Sequence, residues 1–185
     1  MPVTHLYKTE TKTFEIPIEA LVDDTEELIG AATAPKNPTY DTAKTSNFLC
    51  DTRTGTGTTT NIFWGIIRLP SGYLPGSDIS VLLTALTTLG GDAVLVAGGT
   101  TVDLEAFLYS ATAGDYNSAD IQATAAIAVT ATIGVKTFTI TGTTLAAGDS
   151  ILLRFTSSVQ ITSAGAAGTG LNGFANFKYT ATCRV

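Results

Sequence analysis

Residues 175–184, ANFKYTATCR, alternate apolar and polar side chains more regularly than any other part of the chain. Successive side chains of a β-strand point to opposite faces of the sheet, so this alternation predicts a strand with one buried and one exposed face. The side chains predicted to face the core are Ala175, Phe177, Tyr179, Ala181 and Cys183.

Seven further runs of the same kind precede this one. They cover residues 13–19, 61–69, 79–85, 102–108, 121–129, 137–141 and 151–156. Glycine-rich turns such as Gly90–Gly91 and Gly148–Asp149 separate them. About eight or nine short strands with turns between them predict an all-β, antiparallel β-sandwich, and the strand count favours a jelly roll.

Two of these runs have unusual chemistry. Pro17 lies in the run 13–19, and a proline cannot donate to a strand ladder, so this run is predicted to be an edge strand. The run 61–69, NIFWGIIRL, is apolar on both sides, which predicts either a central covered strand or a strand buried against another subunit. Arg68 and Arg154 interrupt apolar runs, so each is expected to have a carboxylate partner or to contact another subunit.

Composition and charge limit the classes of function. We expect the 185 residues to form an extended N-terminal arm, residues 1–12, and one β-sandwich domain, residues 13–185. The formal net charge of −6 disfavours nucleic-acid binding. No apolar run is long enough to span a membrane, and we expect no signal peptide. The only helix signal covers residues 24–29.

Residues that commonly carry out chemistry are few. The single histidine, His5, lies in the polar arm and is predicted to be a surface or interface residue. Cys50 and Cys183 are far apart in sequence, and two free buried thiols are favoured over a disulfide. Two cysteines and one histidine without ligand spacing do not suit zinc. We therefore expect no cofactor, no metal and no enzymatic activity.

Two acidic features leave alternatives open. Asp103 and Glu105 could form the carboxylate pair of a glycosidase, although a solvated strand face, or one that meets a basic partner, is favoured. The oxygen-rich loop at residues 113–120, AGDYNSAD, could hold calcium, but a hairpin turn is favoured there.

Three segments of the chain carry a family resemblance. They are PVTHLYKTETKTFEIPIEAL (residues 2–21), RLPSGYLPGSDISV (68–81) and TGTTLAAGDSILLRFT (141–156). Together with the abundance of Thr, Ala and Gly, they resemble jelly-roll capsid decoration (cement) proteins, or head-fibre bases, of tailed bacteriophages. The resemblance implies a protein made in the host cytoplasm that sits on the capsid exterior as a homotrimer and clamps neighbouring major capsid proteins.

A clamp needs contact residues outside its core. The partner-contact residues that we predict are Val3, His5, Leu6, Tyr7, Arg68, Tyr73 and Leu74. Tyr73 and Leu74 could instead anchor one end of the core. The alternative function is a carbohydrate- or receptor-binding module of a phage fibre, with sugar contacts at Tyr73, Tyr109 and Tyr116. A β-sandwich hydrolase is disfavoured.

Overall fold

The computed structural model describes residues 8–17, 20–23, 39–40, 49–110, 114–165 and 168–185, which form thirteen β-strands. They are β1 (Thr9–Glu15), β2 (Val22–Asp23), β3 (Thr39–Tyr40), β4 (Leu49–Thr54), β5 (Gly57–Arg68), β6 (Ile79–Gly90), β7 (Ala93–Leu95), β8 (Thr101–Ser110), β9 (Asp115–Asp120), β10 (Ile127–Ala128), β11 (Gly134–Ile140), β12 (Ser150–Ser163) and β13 (Thr169–Arg184). Within these ranges there is no α-helix, and so none that could cross a membrane. The helix predicted over 24–29 lies outside the described residues.

The strands form two antiparallel sheets. The six-stranded sheet has the order β11-β6-β13-β4-β3, and β1 also pairs with β13. The seven-stranded sheet has the order β10-β8-β12-β5-β2, with β7 beside β12 and β9 beside β8. The long strands β5, β6, β8, β11, β12 and β13 alternate between the two sheets along the chain, as they do in a jelly roll. The predicted fold class, an antiparallel β-sandwich, is confirmed.

The core lies between the sheets and is built from the inward side chains of alternate positions. In β12, for example, every second residue from Ile151 to Ile161 is buried. Four phenylalanines, Phe63, Phe155, Phe174 and Phe177, pack their rings together with centroids 5.0 to 5.9 Å apart. Since Phe63 and Phe155 belong to one sheet and Phe174 and Phe177 to the other, this cluster joins the two sheets.

A β-bulge in β13 changes which side chains face the core. Asn176 has a φ of 54°, and the register with β6 shifts between Ala175 and Lys178. An extra residue in one strand reverses the alternation beyond it. Phe174 and Phe177 therefore both enter the core, whereas Ala175 lies opposite Thr84, outside the core cluster. Ala175 is buried, as predicted, but the bulge leaves it beside Thr84 and outside the main core cluster.

The first strand lies at an edge, as predicted, but it covers Thr9–Glu15 and not residues 13–19, so Pro17 lies just beyond its end. β1 pairs with β13 and with no other described strand, from Thr9 opposite Arg184 to Glu15 opposite Lys178. Residues 9–12, predicted to belong to the arm, are therefore part of the sheet. The boundary of any arm moves to before Thr9, because alternate backbone groups of this segment bond to β13.

The two sides of the sandwich are closed differently. Residues 121–129 were predicted to form one strand, and this prediction is wrong for most of the run. Ala123 and Thr141 instead form backbone bonds that tie this segment to β11, and Ile127–Ala128 pair with β8 of the other sheet. The segment thus crosses between the sheets and covers that side. On the other side, β1 and β5 are edge regions with a groove between them.

The cysteines do not lie together. Cys50 is opposite Gly173 in the ladder between β4 and β13, while Cys183 lies ten residues farther along β13. At about 3.3 Å per residue, their backbones are roughly 30 Å apart, far beyond the reach of a disulfide. Cys183 is a free, buried thiol, as predicted.

Candidate contact surfaces

The outer side of the seven-stranded sheet carries a continuous group of large apolar side chains. Leu152 of β12 lies directly opposite Ile66 of β5 on one side and Phe107 of β8 on the other. Trp64 lies one outward position along β5. Ile66 is 61% exposed, and the other three are half-buried. We call Trp64, Ile66, Phe107 and Leu152 the apolar face.

An ion pair lies within the apolar face. Arg154 of β12 is directly between Trp64 and Glu105 in the ladder. Its Nη1 donates to Glu105 Oε2 at 2.6 Å, and its guanidinium carbon is 5.4 Å from the centroid of the Trp64 ring. The Nε of Arg154 is buried and has no hydrogen-bond partner. The apolar face therefore carries one positive and one negative group side by side, and Asp103 lies one outward position farther along β8.

The outer side of the six-stranded sheet has different chemistry. One row across it consists of Thr13, Thr180, Ser80 and Thr139, which lie opposite one another in consecutive strands. In the next row, Lys178 Nζ and Glu15 Oε1 form an ion pair, 3.9 Å apart. Hydroxyls and charges stay hydrated at such positions. We call this surface the hydrophilic face.

A groove lies at the open side of the sandwich, between β1 and β5. Two cavities of about 590 and 230 Å³ make it up, and both are lined by Phe14, Arg68 and Tyr179. The larger cavity also contacts Leu69–Ser71 and Ala147–Gly148, and its volume is in the range of ligand pockets. We call this the edge groove.

The walls of the edge groove are held in place by stacking and hydrogen bonds. The rings of Phe14 and Tyr179 are stacked, with centroids 4.9 Å apart. Tyr179 donates its hydroxyl to the backbone carbonyl of Arg68 at 2.8 Å, and burial raises the pKa of Tyr179. Arg68 Nε donates to the carbonyl of Gly148 at 3.3 Å. Among the described residues, no carboxylate forms an ion pair with Arg68, although Glu15, which pairs with Lys178, also lines the smaller cavity.

The predicted partner-contact residues fall in three different places. Arg68 is exposed and lines the edge groove. Tyr73 is only 2% exposed, its hydroxyl donates to the carbonyl of Ser77, and burial raises its pKa. We therefore remove Tyr73 from the contact set, because its ring belongs to the core. Leu74 is half-buried, and its amide donates to the carbonyl of Thr182 at 2.8 Å. The remaining four, Val3, His5, Leu6 and Tyr7, lie outside the described residues.

The tyrosines proposed for sugar contact are only partly together. Tyr109 and Tyr116 face each other across β8 and β9, with ring centroids 5.3 Å apart and an edge-on angle of 71°. Tyr109 is 41% exposed, and burial raises the pKa of the half-buried Tyr116. Tyr73 is absent from this pair because it is in the core.

The acidic candidates mostly have structural partners. Glu105 pairs with Arg154, and Asp103 Oδ1 accepts the amide of Leu104 at 3.0 Å. The loop predicted at 113–120 is largely strand β9, and Asp120 Oδ1 accepts the amides of Ala106 and Gln122. In the part of the chain that the structure describes, no three His, Cys, Asp or Glu residues form a group that could hold a metal.

The Gly-rich end of the sandwich is organised by Asp92. Its carboxylate accepts the hydroxyl of Ser163 and the amide of Gly165, each at 2.6 Å. These bonds, the Ser163 bond first, lower the pKa of Asp92. The nearby Gly55 and Gly57 have positive φ and form the turn between β4 and β5. The glycine-rich segments at this end of the sandwich are therefore turns between strands.

The apolar face was not predicted as a set, although one signal pointed to it. The run 61–69 is apolar on both sides, and its outward residues are Trp64 and Ile66. Phe107 and Leu152 belong to distant segments that only the sheet pairing brings beside Ile66. Of the two alternatives for Arg154, a carboxylate partner or a contact with another subunit, the structure shows the carboxylate partner, Glu105.

Comparison of the sequence with protein-family models and with curated proteins gives no match. Among solved structures, similar chains include a CBM4 carbohydrate-binding module, with 13% identity, a TM-score of 0.40, and coverage of 75% of this chain and 72% of that one. The CBM22-1 xylan-binding domain of Xyn10C from Paenibacillus barcinonensis has 13% identity, a TM-score of 0.31, and coverage of 72% and 86%.

A third similar chain comes from infectious bursal disease virus, Gx strain. It has 14% identity and a TM-score of 0.36, and the match covers 96% of this chain but only 37% of the viral one. Because all three TM-scores are 0.40 or lower, none of these similarities indicates what this chain binds.

Proposed function

We propose that this chain is a non-enzymatic structural protein of a virion, which binds the outer capsid surface and stabilises neighbouring major capsid proteins. One observation carries the proposal. A single rigid sandwich presents two contact surfaces, the apolar face and the edge groove, which adjoin at Ile66 of β5. A protein that joins neighbours needs at least two such surfaces, because its attachment depends on several simultaneous contacts.

The edge groove is the surface that we assign to the capsid. Its apolar walls include Phe14 and Tyr179, and Arg68 supplies a cation without an ion-pair partner among the described residues. Aromatic and arginine side chains in a preformed depression are typical of the groups that dominate protein–protein affinity. We expect the capsid segment that enters the groove to carry an acidic side chain beside an apolar one.

The edge of β1 offers a second kind of contact at the same place. Ile16 donates its amide to Phe177, and Val185 donates its amide to the carbonyl of Lys8. Backbone groups of an antiparallel strand alternate in direction, so those of Thr9, Thr11 and Thr13 point away from β13. These groups could pair with an added strand of a capsid protein. The homotrimer, and capsid contacts by Leu74, Val3, His5, Leu6 and Tyr7, stay predictions.

The test is cosedimentation of the purified chain with capsids that lack it. We expect Arg68→Glu to weaken binding about tenfold or more, since it places a negative charge where an acidic group should bind. Lys136→Glu makes the same change of charge on β11, at the opposite edge of the six-stranded sheet, and should bind as the wild type does. Wild-type binding that Arg68→Glu does not weaken would contradict the assignment of the groove. No wild-type binding would contradict the function.

A carbohydrate- or receptor-binding module of a phage fibre is the second candidate. The observation that favours it is the partly exposed pair of Tyr109 and Tyr116, because aromatic rings are common platforms for sugars. A glycan array probed with the wild type and with Tyr109→Ala tests this function. Binding of a defined glycan that Tyr109→Ala abolishes would support it. An array without binding would count against it.

A further inference from the structure

We propose that the apolar face binds a second copy of this chain, face to face. The inference rests on the proposed function, because it names one of the neighbours that a virion protein with two contact surfaces would hold. It concerns the outer side of the seven-stranded sheet, which adjoins the edge groove at Ile66.

The apolar face is costly to leave in water. Ile66, Leu152 and Phe107 lie side by side across three strands, and Ile66 is 61% exposed. Isolated exposed apolar residues are ordinary, but a contiguous group marks a site of contact. Val135 on the other sheet shows the difference. It is 62% exposed, yet its neighbours in the ladder are Thr84 and, beyond it, Ala175.

The charges within the face favour an identical partner. Arg154 and Glu105 lie next to each other, so a surface that matches the face must carry a negative and a positive group side by side. Two copies related by a twofold axis can place Arg154 of each copy against Glu105 of the other, since a twofold contact repeats each interaction twice.

The same residues are poorly suited to sugar. Ile66 and Leu152 are aliphatic and offer no flat ring for stacking. The Trp64 ring is covered on one side by the guanidinium of Arg154, 5.4 Å from its centroid. Protein surfaces that bind other proteins combine aromatic, aliphatic and arginine side chains in this way.

The size of the face predicts a weak dimer. The outward positions of β5, β8 and β12 cover roughly 600 Å² of sheet. A stable interface of ordinary size covers about 800 Å² on each partner. We therefore expect reversible, concentration-dependent association. A flat face that meets its own copy closes at two copies, which differs from the homotrimer that the family resemblance implied.

Sedimentation equilibrium of the purified chain over a wide concentration range tests the proposal. We expect a monomer–dimer equilibrium that Ile66→Asp weakens about tenfold or more. Val135→Asp is the matched control, because it places the same charge at an equally exposed β-branched residue on the other sheet. A wild type that is monomeric throughout, or equal weakening by both variants, would overturn the proposal.

Charge reversal provides a second test that does not depend on the folding of one variant. Arg154→Glu and Glu105→Arg should each weaken self-association, because each face then carries two like charges. An equimolar mixture of the two variants should form a mixed dimer with close to wild-type affinity. Failure of the mixture to associate would contradict the opposed arrangement.

The outcomes separate this inference from the proposed function. No capsid is present in these assays, and Arg68→Glu should dimerise as the wild type does. If Ile66→Asp leaves self-association unchanged but abolishes capsid binding, a capsid protein and not a second copy contacts Ile66, and the inference is wrong. If Ile66→Asp removes glycan binding instead, a sugar covers it, and the inference is equally wrong.

Discussion

The two outer faces of this sandwich are built on the same scaffold but have opposite chemistry. Outward positions of β5, β8 and β12 hold Trp64, Phe107 and Leu152, whereas those of β1 and β13 hold Thr13 and Thr180. Most inward positions of both sheets are apolar, because the core requires it. The requirements of folding therefore account for the apolar inner faces and for the hydrophilic face. They do not account for the apolar face, which we attribute to binding.

The two faces differ in whether their exposed apolar side chains lie next to one another. Val135 on one side and Ile66 on the other are almost equally exposed, at 62% and 61%. Ile66 has Leu152 beside it and Phe107 beyond, so a partner could remove all three from water at once. At about 25 cal/mol per Å² of apolar surface, burial of a group is worth far more than burial of one side chain.

The largest expected effect lies beneath the apolar face. Phe155 is fully buried and contacts Phe63 and Phe177, so Phe155→Ala should lower the free energy of unfolding by about 3–5 kcal/mol. Urea denaturation measures this. Thr156→Ala, the next residue on β12 and outward-facing, is the control and should change stability by less than about 1 kcal/mol. A small effect of Phe155→Ala would mean that the two faces do not share this core.

A smaller effect is expected where a polar side chain ties the sheets together. Asn172 of β13 is fully buried, accepts the Thr87 hydroxyl at 2.6 Å and donates to Ser157 Oγ and the Ser158 carbonyl of the other sheet at 3.2 Å. Asn172→Ala leaves buried groups without partners and should cost about 1–3 kcal/mol of stability. The midpoint of thermal unfolding should fall accordingly. An unchanged midpoint would show that the network does not join the faces.

The smallest effect is expected on the hydrophilic face. Thr180 lies opposite Thr13 in the ladder, and such cross-strand pairs contribute roughly 0.2–1 kcal/mol. Thr180→Ala should therefore reduce stability by no more than about 1 kcal/mol. It should leave the sedimentation behaviour of the chain unchanged. If Thr180→Ala altered self-association, the contrast between the two faces would be lost.

Local patterns in the sequence account for the fold better than for the contact surfaces. Alternation in residues such as Ile151 to Phe155 depends only on neighbouring positions, so it predicts strands and the sandwich correctly. The edge position of β1 followed from Pro17 by the same local logic. The exchange of inward and outward positions at Asn176 could not be predicted in this way, because the bulge depends on how β13 pairs with β6.

The contact surfaces arise from residues that are distant in sequence. Phe14, Arg68 and Tyr179 meet in the edge groove because β1 and β5 lie at the same open side, and no local pattern contains that information. Arg68 was predicted to be a contact residue, but its apolar neighbours were not. For Tyr73, the sequence allowed either a contact or a core position, because a ring in a turn-rich segment can face either way. The structure buries it, and its backbone pairs with that of Cys183.

Hydroxyl-radical footprinting tests the contrast between the faces most directly, because it reports the solvent exposure of individual side chains. The chain would be compared as a dilute monomer and in its assembled state. Oxidation of Trp64 and Phe107 should fall several-fold on assembly, whereas oxidation of Leu82 and Val135, outward residues of the six-stranded sheet, should stay the same. Unchanged oxidation of Trp64 and Phe107, or an equal fall at all four residues, would contradict the assignment of the apolar face as a contact surface.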